Sequence, residues 1–218
     1  VNSDSFSVHD FDILTLYPLD FEEFLWANAE FSLTREIRNH FSDFSPMGKK
    51  LHEKALSQFR LYLIIGGMPA AIMEYKKEKK LLLVPEPSKS SLHLYPVDTG
   101  LCSCILKIPA FQLLSGEETT AGTACIETFL AQHFIRNGYA LSYWSSGNQA
   151  EVPFLLSKNS HFIAIDYRTT PHQKCRNLMQ LNKSSLSPAP TQMYLISAED
   201  FRQKEAYQIV PLYAVFCI

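Results

Sequence analysis

The chain has 218 residues, 46% of them hydrophobic, which is enough for a packed core in one large domain or two small ones. Its 20 Lys and Arg face 22 Asp and Glu for a formal net charge of −2, so no overall basic field draws it onto phosphate backbones, and any nucleic-acid contact needs a local patch. Five cysteines without CxxC spacing exclude a regular disulfide framework and a paired zinc site, and fit buried thiols in a reducing cytoplasm.

In chain order, "DILTLYPL" (12–19) alternates like a strand, and "DFEEFLWANAEF" comes next with Asp20 as a helix cap and acidic residues in the first turn. "SLTREIRNHFSDF" predicts a second helix capped by Ser32, with Leu33, Ile37, His40, Phe41 and Phe44 on one face. A third runs from Pro46 until Gly66 and Gly67 stop it, so the first 75 residues are mostly helical. The apolar stretch at 61–73 is too short to cross a bilayer and carries Gly-Gly and Pro, and the polar, acidic start at Val1 lacks a secretory leader and suggests a fragment.

"KKEKK" (76–80) reads as a solvated charge run and "VPEPSKSS" (84–91) as a linker, dividing a helical segment, 1–80, from an α/β domain, 81–218. Beyond the boundary the pattern predicts a strand with a turn at its end over 91–101, a helix at 121–138 closed by Gly138, and strands at 140–146, 151–157 and 161–168. A loosely helical stretch at 173–184, a strand at 192–197, a short helix at 198–203 and a last strand at 206–217 complete it. Such an order implies an α/β fold, a mixed sheet flanked by helices. No GxxxxGK[ST] phosphate loop, GxSxG elbow or HExxH is present.

What remains is a set of carboxylates. Glu151 opens one short strand and Asp166 closes the next, and a divalent cation needs hard oxygens clustered in that way. Residues two apart on a strand share a face, which aligns Glu151 with Pro153. Tyr143 and Trp144 offer rings for base stacking but read more simply as packing.

Six blocks, "LTLYPLDFEEFLWA", "YLIIGGMPAAIMEY", "LHLYPVDTGL", "IETFLAQHF", "LSYWSSGNQAEVPFLL" and "IVPLYAVF", together resemble the C-terminal half of a group of prokaryotic AAA-type ATPases. There a nucleotide-binding core is followed by a domain of unknown function with a PD-(D/E)XK nuclease-like fold. The resemblance implies a restriction-endonuclease-like sheet here, with residues 1–20 standing near the end of an ATPase core that the chain lacks, and a middle segment shortened to about 76–92.

It also implies a site. The family's Glu-Val-Asp-Phe appears as Glu151, Val152, Pro153 and Phe154, its Ile-Glu-Val-Lys as Ile165, Asp166, Tyr167 and Arg168, and its helix glutamate as Glu127. Glu127, Glu151 and Asp166 would be the ligands of a Mg²⁺ ion if the site is active, with Arg168 gripping a phosphate without serving as a base. Pro153 stands where the main ligand belongs and removes a ladder donor, so the expectation is a truncated, catalytically inactive relative that needs no cofactor and binds DNA or a protein partner. The competing expectation is an active Mg²⁺-dependent DNA nuclease. No membrane association is expected, and the sequence identifies no small-molecule substrate.

Overall fold

The computed structural model describes residues 16–78, 95–116, 119–146, 150–159, 161–168 and 175–218. The end of the Lys-rich run, the linker at 84–91, the first part of the strand expected from 91 and the first 15 residues lie outside that set. The described part is a set of helices followed by a mixed six-stranded sheet with helices on both faces, which is the α/β class expected. Among the described residues no single helix is long and apolar enough to cross a membrane.

Helix α1 (Phe21–Ala27) starts where its cap chemistry predicts. Asp20 Oδ1 accepts the Glu23 N–H at 2.8 Å while Glu23 accepts the Asp20 N–H at 2.9 Å, a reciprocal capping box that satisfies two otherwise orphaned donors. The described part of the expected first strand, from Leu16 on, is irregular. Helix α2 (Phe31–Asp43) begins before Ser32, its N-cap Glu30 making no side-chain cap bond. Arg38 on this helix holds the buried Glu22 with two bonds, 2.7 and 2.6 Å. Helices α3 (Lys49–Ile65) and α4 (Pro69–Glu78) come next.

Residues from three of the six blocks meet after α3. The Leu19 N–H donates to the Gly67 carbonyl at 2.8 Å, the Gly67 N–H donates to Asp98 Oδ2 at 2.5 Å, and the Tyr62 hydroxyl donates to the Leu19 carbonyl at 2.9 Å. A β-carbon on Gly67 would stand 1.9 Å from the Leu19 carbonyl oxygen, so the approach requires glycine. Gly66, at φ +76°, leads the chain out of α3 against the Asp98 carboxylate.

The second oxygen of Asp98 accepts the Leu101 N–H and caps helix α5 (Thr99–Ile105). From Thr99 on, where a turn was expected to end the strand, the chain is a helix: Asp98 caps it with its carboxylate, and the helix packs against α3. A short helix α6 (Ala110–Ser115), which periodicity did not reveal, precedes α7 (Thr120–Arg136). Thr119 caps α7, and Gly138 at φ +77° lies just beyond its end.

Strands β1 (Ala140–Ser145), β2 (Glu151–Lys158) and β3 (His161–Arg168) form an antiparallel meander. Helix α8 (Arg176–Lys183) leads to β4 (Gln192–Ser197), parallel to β3, and β5 (Arg202–Gln203) and β6 (Gln208–Pro211) complete the order β1-β2-β3-β4-β6-β5. Two expectations fail at the C-terminal side. The helix expected at 198–203 is a turn and the short β5, because Asp200 accepts the N–H groups of Met47 and Gly48, each at 3.0 Å, as well as that of Phe201. The last strand stops at Pro211, which has no ladder donor, and residues Leu212–Cys217 coil into a buried 3₁₀ segment. Its Tyr213 hydroxyl lies 2.9 Å from His52 Nδ1 on α3.

Two apolar layers sandwich the sheet. The larger includes Phe21, Phe59 and Phe129 from the helices with Phe154 and Ile165 from the strands, so it draws on both sides of the linker. The smaller lies under α8 and holds Val152, Leu155, Ala164, Leu178 and Leu195.

Candidate functional site

On β3 the alternation of side chains decides what can meet. Ile163 and Ile165 pack in the larger core with Tyr167 against it, whereas Ala164 packs in the smaller core. Asp166 shares the face of Ala164, beside α8, and Arg168 shares it again. Glu127 projects from α7, which lies on the other side of the sheet, and accepts a hydrogen bond from the Tyr167 hydroxyl. Glu127 and Asp166 are thus separated by the sheet.

Both carboxylates already have partners. Asp166 is 4% exposed and accepts the Tyr167 N–H at 2.9 Å, the Cys175 thiol at 3.1 Å and the Asn177 amide at 3.2 Å, with the Arg168 guanidinium 3.7 Å away. Burial raises its pKa above the ordinary carboxylate value, against the opposing pull of Cys175 and Arg168. The Cys175 thiol is pushed up to about 12 by burial and by the Asp166 charge, so it stays protonated as a donor. The Tyr167 phenol is likewise raised, by burial first and Glu127 second.

Glu151 is exposed at the start of β2, paired with Ser145. Its neighbour Val152 enters the smaller core, so alternation turns Glu151 to the face opposite Asp166. Pro153 sits in an irregularity. Between the pairs Ser142 with Leu155 and Trp144 with Val152, β2 carries one residue more than β1, a bulge opposite Tyr143. The bulge absorbs the missing N–H of Pro153 and interrupts the period of two: Val152 and Phe154, two apart, pack in different cores. The shared face on which Glu151 would stand in for a ligand at position 153 is therefore broken.

Of the four candidates the structure brings together Asp166 and Arg168, joined by Cys175 and Asn177, and places Glu127 with Tyr167. Among the described residues no group of three or more His, Cys, Asp or Glu side chains is spaced to hold a metal ion. Periodicity alone would have exposed Tyr167, since it lies between Asp166 and Arg168 and must face the other way. Cys175 and Asn177 come from the start of α8 and gave no local signal. Of the two aromatic residues, Tyr143 is 69% exposed on the edge strand, while Trp144 packs against the smaller core.

Residues 123–215, somewhat under half of the chain, match a family model described as Domain of unknown function (DUF4143). All four candidate residues fall within the matched segment. No curated protein and no solved structure matches the chain.

Proposed function

We propose that this chain is a nuclease-like domain related to the C-terminal domain of AAA-type ATPases, that it has lost cleavage chemistry, and that it acts by binding a protein partner or DNA. The observation that carries this reading is the separation of the two best carboxylates. Glu127 and Asp166 lie on opposite faces of the sheet, and a Mg²⁺ ion that bridges a phosphate oxygen and an attacking water needs its oxygens at one point. The charge of Asp166 is spent on Cys175, Asn177 and Arg168, a buried polar network that fixes α8 on the sheet. Arg168, paired to Asp166, does not act as a general base.

Incubation with supercoiled plasmid and Mg²⁺ or Mn²⁺ tests the proposal. The expected result is intact plasmid. Cleavage that disappears in Asp166→Ala would establish an active nuclease and overturn it. A DNA-binding titration against salt separates the two binding roles: DNA binding weakens steeply as salt rises, and no binding at low salt leaves the protein partner.

A further inference from the structure

The two edges of the sheet differ in how they meet solvent. At one edge β5 is two residues long and carries Arg202, and shortness and charge both keep an edge from pairing with another chain. At the other edge β1 runs for six residues, Ala140–Ser145, without a charge or a proline, and among the described residues its one neighbour in the sheet is β2. We propose that β1 is the contact of a symmetric dimer, in which the β1 strands of two copies of this chain pair antiparallel across a two-fold axis and join their sheets into one.

The backbone decides which groups are on offer. The Ser146 N–H donates to the Ala150 carbonyl at 2.9 Å, toward β2. The extra residue of the bulge lies on β2, so β1 keeps its period of two, and Trp144, Ser142 and Ala140 also turn their backbone groups to β2. Leu141 and Tyr143 therefore turn theirs outward. With the two-fold axis at Ser142, Leu141 of each copy lies opposite Tyr143 of the other, and each such pair exchanges two N–H···O bonds as an antiparallel ladder requires.

Side chains and charge favour a second copy as the occupant. Leu141 packs against the larger core, and Tyr143, two residues on, shares its face and is 69% exposed. In the dimer each Tyr143 ring covers Leu141 of the other copy, and no like charges meet because the strand has none. The charges beside the edge lie on the same face and differ in sign at its two ends. Lys158, with Nζ 5.2 Å over the Tyr139 ring, stands at the start of β1, and the exposed Glu151, paired with Ser145, stands at its end. This register sets the Lys158 end of each copy in line with the Glu151 end of the other, three strand spacings or about 14 Å apart between backbones. Parallel pairing would set like ends together.

Sedimentation equilibrium of the full chain tests the dimer. One strand pair is a small interface, so the expected result is a reversible monomer–dimer equilibrium with a Kd of about 10 to 100 µM. Tyr143→Lys sets two cations diagonally across the seam from an exposed position, and Tyr143→Pro removes an outward N–H that an edge strand can spare; each should weaken association at least about tenfold while the circular dichroism stays that of the wild type. Ser142→Cys sets a thiol opposite its own copy with β-carbons about 5 Å apart, so diamide should produce an intermolecular disulfide that peptide mapping assigns to position 142. A monomer up to about 500 µM, a dimer unaffected by a folded variant at Tyr143, growth beyond two chains, or no cross-link at position 142 overturns the proposal.

Discussion

Replacing Gly67 by alanine is the sharpest test of how the end of α3 is locked against Leu19 and Asp98. The added methyl would meet the Leu19 carbonyl oxygen at 1.9 Å and the Leu19 nitrogen at 2.8 Å, where ordinary contact begins near 3.4 Å, so the two backbones must part by more than an ångström. Neither neighbour is a flexible side chain. Parting them breaks the Leu19 to Gly67 bond and disturbs the Tyr62 to Leu19 bond, each worth about 1 kcal/mol, and weakens the bond from Gly67 to the buried Asp98 carboxylate, worth about 2 kcal/mol. The expected loss is about 4 kcal/mol. With a urea slope of about 2 kcal/mol per molar, the unfolding midpoint followed by tryptophan fluorescence should drop by about 2 M. Gly48→Ala is the control. Gly48 has φ +76°, a left-handed conformation that Gly67 does not share, and a β-carbon there meets nothing within 4 Å, so the control carries backbone strain of about 1 to 2 kcal/mol and no clash. If Gly67→Ala lowers the midpoint no further than Gly48→Ala, close backbone approach is not what demands glycine at 67.

Tyr167→Phe removes the donor to Glu127 and should lower stability by about 1 to 2 kcal/mol in the same urea assay; an unchanged midpoint would show that this bond contributes nothing net. Asp166 has a folded-state pKa above its unfolded value of 3.8, so its contribution to stability is full below that value and is lost as pH rises through the folded pKa. Asp166→Asn should therefore flatten the decline of stability above about pH 4 in thermal melts across pH. His133 shifts the other way, from 6.5 to about 4, so its contribution is present above 6.5 and lost as pH falls toward 4. The difference in stability between wild type and His133→Phe should change by about 3 kcal/mol over that interval, and parallel pH profiles would refute the burial of a neutral imidazole.

Where local chemistry is self-contained, the sequence was legible. The Asp20 cap works through Glu23, three residues away, and α7 stops near Gly138 as helix-end chemistry requires. Strands β1 to β4 were readable as short apolar runs bounded by polar turn residues. Two of the failures share a physical cause, a carboxylate taken by a distant partner. Asp98 looked like part of a turn after a strand, yet its two oxygens serve Leu101 nearby and Gly67 far away, and that tertiary bond decides for a helix. Asp200 looked like the first turn of a helix, but its carboxylate reaches Met47 and Gly48. At the candidate site the strand residues and the helix glutamate could be named in advance, but the bulge at Pro153 and the opposite facing of Glu127 and Asp166 depend on strand register and on which side α7 packs.

The bonds from Asp200 to Met47 and Gly48, and from Tyr213 to His52, join residues more than 150 positions apart. Closing so long a loop costs little more at equilibrium than closing one half its length, since the entropy grows only with the logarithm of length. In time the consequence is larger. The 3₁₀ segment that carries Tyr213 also lines the helical layer, so α2 and α3 find their final partners late, after a search over most of the chain. Refolding should be slow for a protein of this size, and a partly folded species with those helices exposed is the one from which aggregation would begin.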